Sequence, residues 1–82
     1  EYRSVRERLA SFLLTMAQRF GKLAPNGLII DVPLKQQDIA SSINASRETT
    51  SREIGILERK GLIKNTHHII TIVDKKALKN LL

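Results

Sequence analysis

Residues 34–63, LKQQDIASSINASRETTSREIGILERKGLI, carry the strongest constraint on the fold, because this stretch reads as two helices rather than one. Ile39, Ala40 and Ile43 make the apolar side of a short first helix. Asn44 follows, and Asn is the non-glycine residue that most readily takes the left-handed conformation. Ser46 can then cap a second helix, with Thr49 as its third helical residue. That helix is predicted to run to Lys60, with Gly61 closing it as the residue just past the C-cap. A short helix and a longer one must therefore pack across a tight turn.

The material for that packing is limited. The chain has 82 residues and no cysteine, so neither a disulfide framework nor a thiolate metal site can support it. Stability must come from one apolar core, for which 41% hydrophobic residues suffice. With one Tyr and two Phe, that core is mainly Leu, Ile and Val. No apolar run exceeds four residues, so no segment can span a bilayer, and the start shows no signal-peptide pattern. Fourteen Lys and Arg against eight Asp and Glu give a formal charge of +6, which favours polyanionic partners, nucleic acid first.

Ahead of the helix pair, Val5, Leu9, Phe12, Leu13, Met16 and Phe20 share one helical face, with Arg3, Arg6, Arg8 and Gln18 mostly off it. Ser4 and Glu7 have capping-box spacing, and Gly21 is a C-terminal stop. Pro25-Asn26-Gly27 signals a turn, followed by a predicted strand over residues 28–32 that Pro33 ends. After Gly61, LIKN and IITIV are β-prone runs separated by Thr66-His67-His68 and read as a hairpin. DKKALKNLL begins with an Asp cap and ends as a short helix or a frayed tail.

The order is helix, strand, short helix, tight turn, longer helix, hairpin. This predicts a mainly α fold with a small β-sheet, a winged helix-turn-helix. With Arg47 set at 0° and about 100° per residue, Thr50, Ile54 and Leu57 fall at about 300°, 340° and 280°, one inward stripe. Glu48, Ser51, Arg52, Gly55 and Arg59 fall between roughly 40° and 140°, nearly opposite. Gly55 on that side would let a surface approach the backbone. Arg can bond guanine O6 and N7 together, and Glu can accept from the cytosine amino group. Hydroxyls and helix N-terminal N–H groups suit phosphate oxygens. A carboxylate facing the DNA backbone costs affinity, so Glu48 makes sense there mainly as a base reader. The competing reading is a solvated face, with Glu48 paired to Arg52 one turn on.

Residues 34–63 resemble the DNA-binding domain of the Crp/Fnr family of bacterial transcription regulators. SRETTSR is similar to that family's recognition helix, and LERKGLI to the segment leading into its wing. The resemblance implies that Arg47, Glu48 and Arg52 contact base edges in the major groove. It places Gln37, Ser46 and Thr49 at phosphates, and Thr66 and His67 at the wing tip near the DNA backbone. Asn44 stands where Gly is common in the turn. Thr50 fills an inward site usually held by Val or Ile, and its hydroxyl is expected to bond back to the carbonyl of Ser46. Glu53 sits at the stripe edge where an apolar residue is common, so looser packing is expected there. RLASFLLTMAQRFG also resembles the nitrogen-control branch of cyanobacteria and red-algal plastids.

Family members carry a sensor domain and a long dimerisation helix that these residues do not contain. Residues 1–82 are thus expected to form a single winged helix-turn-helix domain, a C-terminal fragment with residues 1–4 as the end of the dimer helix or the link after it. The expected partner is double-stranded DNA, bound as a homodimer on a palindromic site with recognition helices roughly 34 Å apart. RNA polymerase would be a further partner of the full-length protein. No cofactor is expected in this domain, and the expected location is the bacterial cytoplasm or the plastid stroma. An enzyme is not expected, given scattered carboxylates, the lack of a Gly-rich phosphate loop, and serines without a neighbouring His and acid. His67 and His68, if extended, point to opposite faces and cannot share a metal. RNA recognition is disfavoured because aromatic stacking platforms are missing. The alternative is a winged helix used for protein–protein interaction.

Overall fold

In a computed structural model, which describes residues 3–82, the elements follow in the order α1 (Val5–Phe20), β1 (Gly21–Ala24), β2 (Gly27–Ile30), α2 (Gln36–Ser42), α3 (Arg47–Arg59), β3 (Ile63–Thr66), β4 (Ile69–Ile72) and α4 (Lys75–Lys79). The part of the expected dimer-helix end that falls on Glu1 and Tyr2 lies outside the described residues. No helix among the described residues is long and apolar enough to cross a membrane.

The capping box forms as its spacing requires. Ser4 Oγ accepts from Glu7 N at 3.1 Å, and Glu7 Oε1 accepts from Ser4 N at 2.8 Å. Leu9, Ala10, Leu13 and Ala17 are the buried residues of α1, while Val5, Phe12 and Met16 pack against the core partly exposed. The buried stripe is therefore centred nearer the small alanines than the apolar spacing indicated. Phe20, expected on the core face, is exposed and lies under the Arg19 guanidinium at 5.4 Å. It is the last helical residue, and the chain turns away from the core directly after it. Gly21 does end α1, but in extended rather than left-handed backbone (φ −74°). Glycine is required there by proximity, since a Cβ would stand 2.1 Å from the Ala17 carbonyl oxygen.

The sheet is larger than the sequence indicated. β1, unexpected from GKLA, pairs antiparallel with β2 across the Pro25-Asn26 turn, from Gly21 opposite Ile30 to Ala24 opposite Gly27. The strand order is β1-β2-β4-β3, all antiparallel. β2 stops at Ile30, so Val32 packs on the core from outside the ladder and Pro33 stands beyond the strand. β1 and β3 are the two edge strands, and Leu23 is exposed on β1.

Two helix ends have the same hydrogen-bond pattern, and together they place α3. After α2, Asn44 takes φ 55°, Ala45 N donates to Ala40 O at 3.0 Å, and Asn44 N to Ser41 O at 3.4 Å. After α3, with Lys60 as C-cap, Gly61 takes φ 76°; Leu62 N donates to Leu57 O and Gly61 N to Glu58 O. Both are Schellman closures, which satisfy carbonyls that a helix end leaves open. In the second, Leu62 and Leu57 join the core together. α4 starts as expected, with Asp74 Oδ1 accepting from Ala77 N.

Glu7 yields a testable consequence. The Ser4 backbone N–H, then the Ser4 side chain, and lastly the charge of Arg3 hold its carboxyl below the ordinary value, with burial acting the other way. A lowered folded-state pKa means that the stabilisation is present above the unfolded value and is lost as pH falls through the folded one. Wild type is therefore expected to unfold at higher urea than Glu7→Ala at neutral pH, with the gap closing in acid. A gap independent of pH would contradict a charged cap.

Candidate nucleic-acid interface

α3 is built with two distinct sides. Thr50, Ile54 and Leu57 are its buried residues, facing a core that includes Leu9, Leu13 and Ile39. Arg47, Glu48, Ser51 and Arg52 are exposed on the opposite side. Its N-terminus is held by Ser46, whose Oγ accepts from Thr49 N at 3.0 Å and donates to Thr49 Oγ1 at 2.9 Å. Arg52 Nη2 in turn donates to Thr49 Oγ1 at 3.4 Å, so the Arg52 guanidinium rests against the first turn. The Thr49 hydroxyl thus accepts from Ser46 and Arg52 and keeps its own proton for an outside acceptor.

A solvated face could have shown salt bridges such as one between Glu48 and Arg52. Among the described residues Glu48 takes part in no ion pair. Its carboxylate and the two flanking guanidinium groups are left to the solvent side. Beside Gly55 lies the end of the exposed Arg59 side chain, so that a Cβ there would meet Arg59 Nη1 at 3.3 Å.

The wing is brought to the same side by direct bonds. Its tip is a two-residue turn with both His67 (φ 50°) and His68 (φ 68°) in left-handed backbone. Positive φ at both positions is the geometry of a type I′ hairpin, usually taken by Asn-Gly. The histidines are therefore not extended, and Thr66 belongs to β3, opposite Ile69, rather than to the turn. Leu34 N donates to His68 O at 2.7 Å, which ties the tip to the entry of α2. Asn65 N donates to Glu58 Oε2 at 3.0 Å, which ties β3 to α3.

Two open depressions follow from this arrangement. One is lined by Gln36, Arg47, Glu48, Ser51 and Arg52. The other is lined by Lys35, Gln36, Gln37, Arg47 and His68. Gln37, Arg47, Glu48 and Arg52 are thereby brought to one surface, with Ser46 and Thr49 at its helix end. Thr66 and His67 stand exposed at the wing and line neither depression. Gln36, Ser51 and His68 were not singled out as site residues. Ser51 could have been, from its angle on α3, whereas Gln36 and His68 meet the site only through tertiary contacts. No group of three or more His, Asp or Glu residues able to hold a metal occurs among the described residues.

Residues 7–81 match the Crp-like helix-turn-helix domain. This chain belongs to that family. It is similar to the global nitrogen regulator of Synechocystis sp. strain PCC 6803, 39% identical over 77 residues, 94% of this chain and 34% of that protein. It is likewise similar to the global nitrogen regulator of Synechococcus elongatus strain PCC 7942, 38% identical over 77 residues, 94% and 35% of the two chains. Among solved structures, the CooA mutant of Carboxydothermus hydrogenoformans superposes with a TM-score of 0.90 at 25% identity, over 96% of this chain and 37% of that one. A CRP/FNR-family transcriptional regulator of Thermus thermophilus does so with a TM-score of 0.85 at 25% identity, over 96% and 40%. The chain spans about a third of the length of these curated relatives. The relatives are transcription regulators rather than enzymes, and the Crp-like domain is a DNA-binding helix-turn-helix.

One buried group in the helix-turn-helix departs from expectation. Thr50 is fully buried, and its Oγ1 has no hydrogen-bond partner. The bond expected to the Ser46 carbonyl is not made by the hydroxyl; that carbonyl accepts the Thr50 backbone N–H at 3.0 Å. An unsatisfied buried hydroxyl costs about 1–3 kcal/mol. Thr50→Val, which keeps the shape, is expected to raise stability by about 1 kcal/mol in urea unfolding. A loss of stability would show that the hydroxyl has a partner in solution.

Proposed function

We propose that this chain is the sequence-reading part of a transcription regulator, with α3 lying in the major groove of double-stranded DNA. Arg47, Glu48 and Arg52 contact base edges. Gln37, Ser46 and Thr49 contact phosphates, and Thr66 and His67 reach the DNA backbone at the wing tip. The observation that carries this reading is the state of Glu48. In a chain of formal charge +6 it stands exposed and unpaired between two arginines, with the opposite side of its helix buried. A carboxylate so placed weakens attraction to phosphate and helps only where it accepts from a base, such as the cytosine amino group.

The full protein is a homodimer on a palindromic site, with its two recognition helices about 34 Å apart. These residues form its C-terminal domain, and a sensor domain and dimerisation helix lie outside them. Support comes from the length of the relatives, of which this chain matches about a third. The likeness to global nitrogen regulators of cyanobacteria favours nitrogen control as the setting and the bacterial cytoplasm as the place, with the plastid stroma as the alternative. RNA polymerase is the further partner through which such a regulator acts.

Selection of the full-length protein on a randomised duplex DNA pool tests the reading. A two-fold-symmetric consensus is expected, with log K falling linearly as log salt rises. Arg52→Ala is expected to cost about 1–3 kcal/mol and to relax selectivity at one base pair. Gln37→Ala is expected to weaken binding to all sequences alike, as loss of a phosphate contact does. Failure to enrich any sequence would favour the protein-interaction alternative.

A further inference from the structure

The first turns of α1 grip the helix-turn-helix at two places. Arg6 Nε donates to Glu53 Oε1 at 2.7 Å, from α1 to the middle of α3. The Glu53 side chain is 15% exposed and that of Arg6 37%, so the carboxylate is the more enclosed partner. Two residues on, Arg8 Nε donates to Ile43 O at 2.8 Å and its Nη2 to Asn44 O at 3.4 Å, on the carbonyls of the tight turn. The remaining Nη1 donates to Arg3 O at 2.6 Å. The capping box fixes the backbone from which both arginines extend.

Glu53 stands where an apolar residue would serve packing, so its charge calls for an explanation beyond filling space. Its neighbour Arg52 rests on the Thr49 hydroxyl. Thr49 lies one helical turn before Glu53, and residues four apart on a helix are side-chain neighbours. An unpaired Glu53 carboxylate would therefore take the proton that the Thr49 hydroxyl keeps for an outside acceptor, and would draw the Arg52 guanidinium that rests on the same oxygen. A partly enclosed carboxylate without a cation is costly, which drives that competition.

We propose that Arg6 and Glu53 are a positioning pair for the DNA-reading face: by holding the Glu53 carboxylate on α1, Arg6 leaves Arg52 free to face the DNA and fixes the rotation of α3. This rests on the assignment of Arg52 as a base reader. Arg6 touches no DNA itself and acts only through Glu53. Hydrogen bonding and the charge of Glu53 both hold the Arg6 pKa above its ordinary value.

The test uses the full-length protein and two probes: the duplex that wild type selects, and the same duplex altered at the base pair that Arg52→Ala relaxes. Arg6→Gln is expected to lower the ratio of affinities for the two probes about tenfold, a coupling of ordinary size for neighbouring residues. Arg6→Lys is expected to recover most of it. The double variant Arg6→Gln with Glu53→Gln is expected to discriminate better than Arg6→Gln alone, because no stray carboxylate remains. A purely structural staple predicts instead that stability falls in Arg6→Gln and returns in the double variant while the ratio of affinities stays unchanged in both. An unchanged ratio in Arg6→Gln, or a double variant no better than the single, overturns the proposal. Should Arg6→Gln fail to fold, Arg6→Lys and the double variant carry the comparison, and a double variant without discrimination overturns it equally. If wild type selects no sequence, the DNA-reading assignment fails instead, which is a separate result.

Discussion

Between α2 and α3 the chain leaves the helix and takes left-handed backbone at Asn44, and the groups exposed by that break are bonded again within a few residues. Ala45 and Asn44 return their N–H groups to α2, Ser46 caps α3, and Arg8 takes the carbonyls of Ile43 and Asn44. A turn with its backbone satisfied in this way has one geometry rather than several, because any other would strand polar groups. The angle between α2 and α3 follows from it, and so does the direction in which the arginines of α3 point.

The remaining parts depend on that direction. The core under α3 draws on α1, α2, the sheet and α4, with Leu9, Leu13, Ile39, Ile54, Leu57, Ile70 and Leu78 close to fully buried. It can bury one side of α3 only if the turn delivers the helix in this rotation. The wing is held by the Leu34–His68 backbone bond and by Glu58, so its tip keeps station beside the α2 entry. Two adjacent histidines at positive φ cost conformational energy that Asn-Gly would avoid. A polar wing tip, with His68 beside Lys35 and Arg47, is what that conformation presents.

Much of this was legible in the residues. The Ser4–Glu7 box, the Asn44 turn, the Ser46 cap and the Gly61 stop are local devices, each written within four or five residues of its own helix end. The inward stripe of α3 followed from angle alone. β1 did not, since GKLA has no β-branched residue and becomes a strand only because β2 folds back alongside it. Phe20 was misplaced because periodicity cannot say where a helix stops facing its core. Thr50 was assigned the right side but the wrong bond. Of the site, Arg47, Glu48, Arg52 and Gln37 reach one surface, whereas Thr66 and His67 stand on the wing outside the two depressions and His68 lines one of them.

By itself the sequence determined the helix ends at Ser4, Ser46 and Gly61, the tight turn, the polar face of α3 and the basic balance of charge. These rest on short-range chemistry: capping bonds, backbone preference at Asn and Gly, and the 100° step of a helix. Tertiary structure alone decided that Glu53 is paired, that Arg8 braces the turn, that β1 exists and that the wing is tied beside α2. Apart from β1, which pairs locally with β2, these join residues far apart in the chain, such as the 47 positions between Arg6 and Glu53. Only the closed core brings such groups within bonding distance, and no local pattern records which of them will meet.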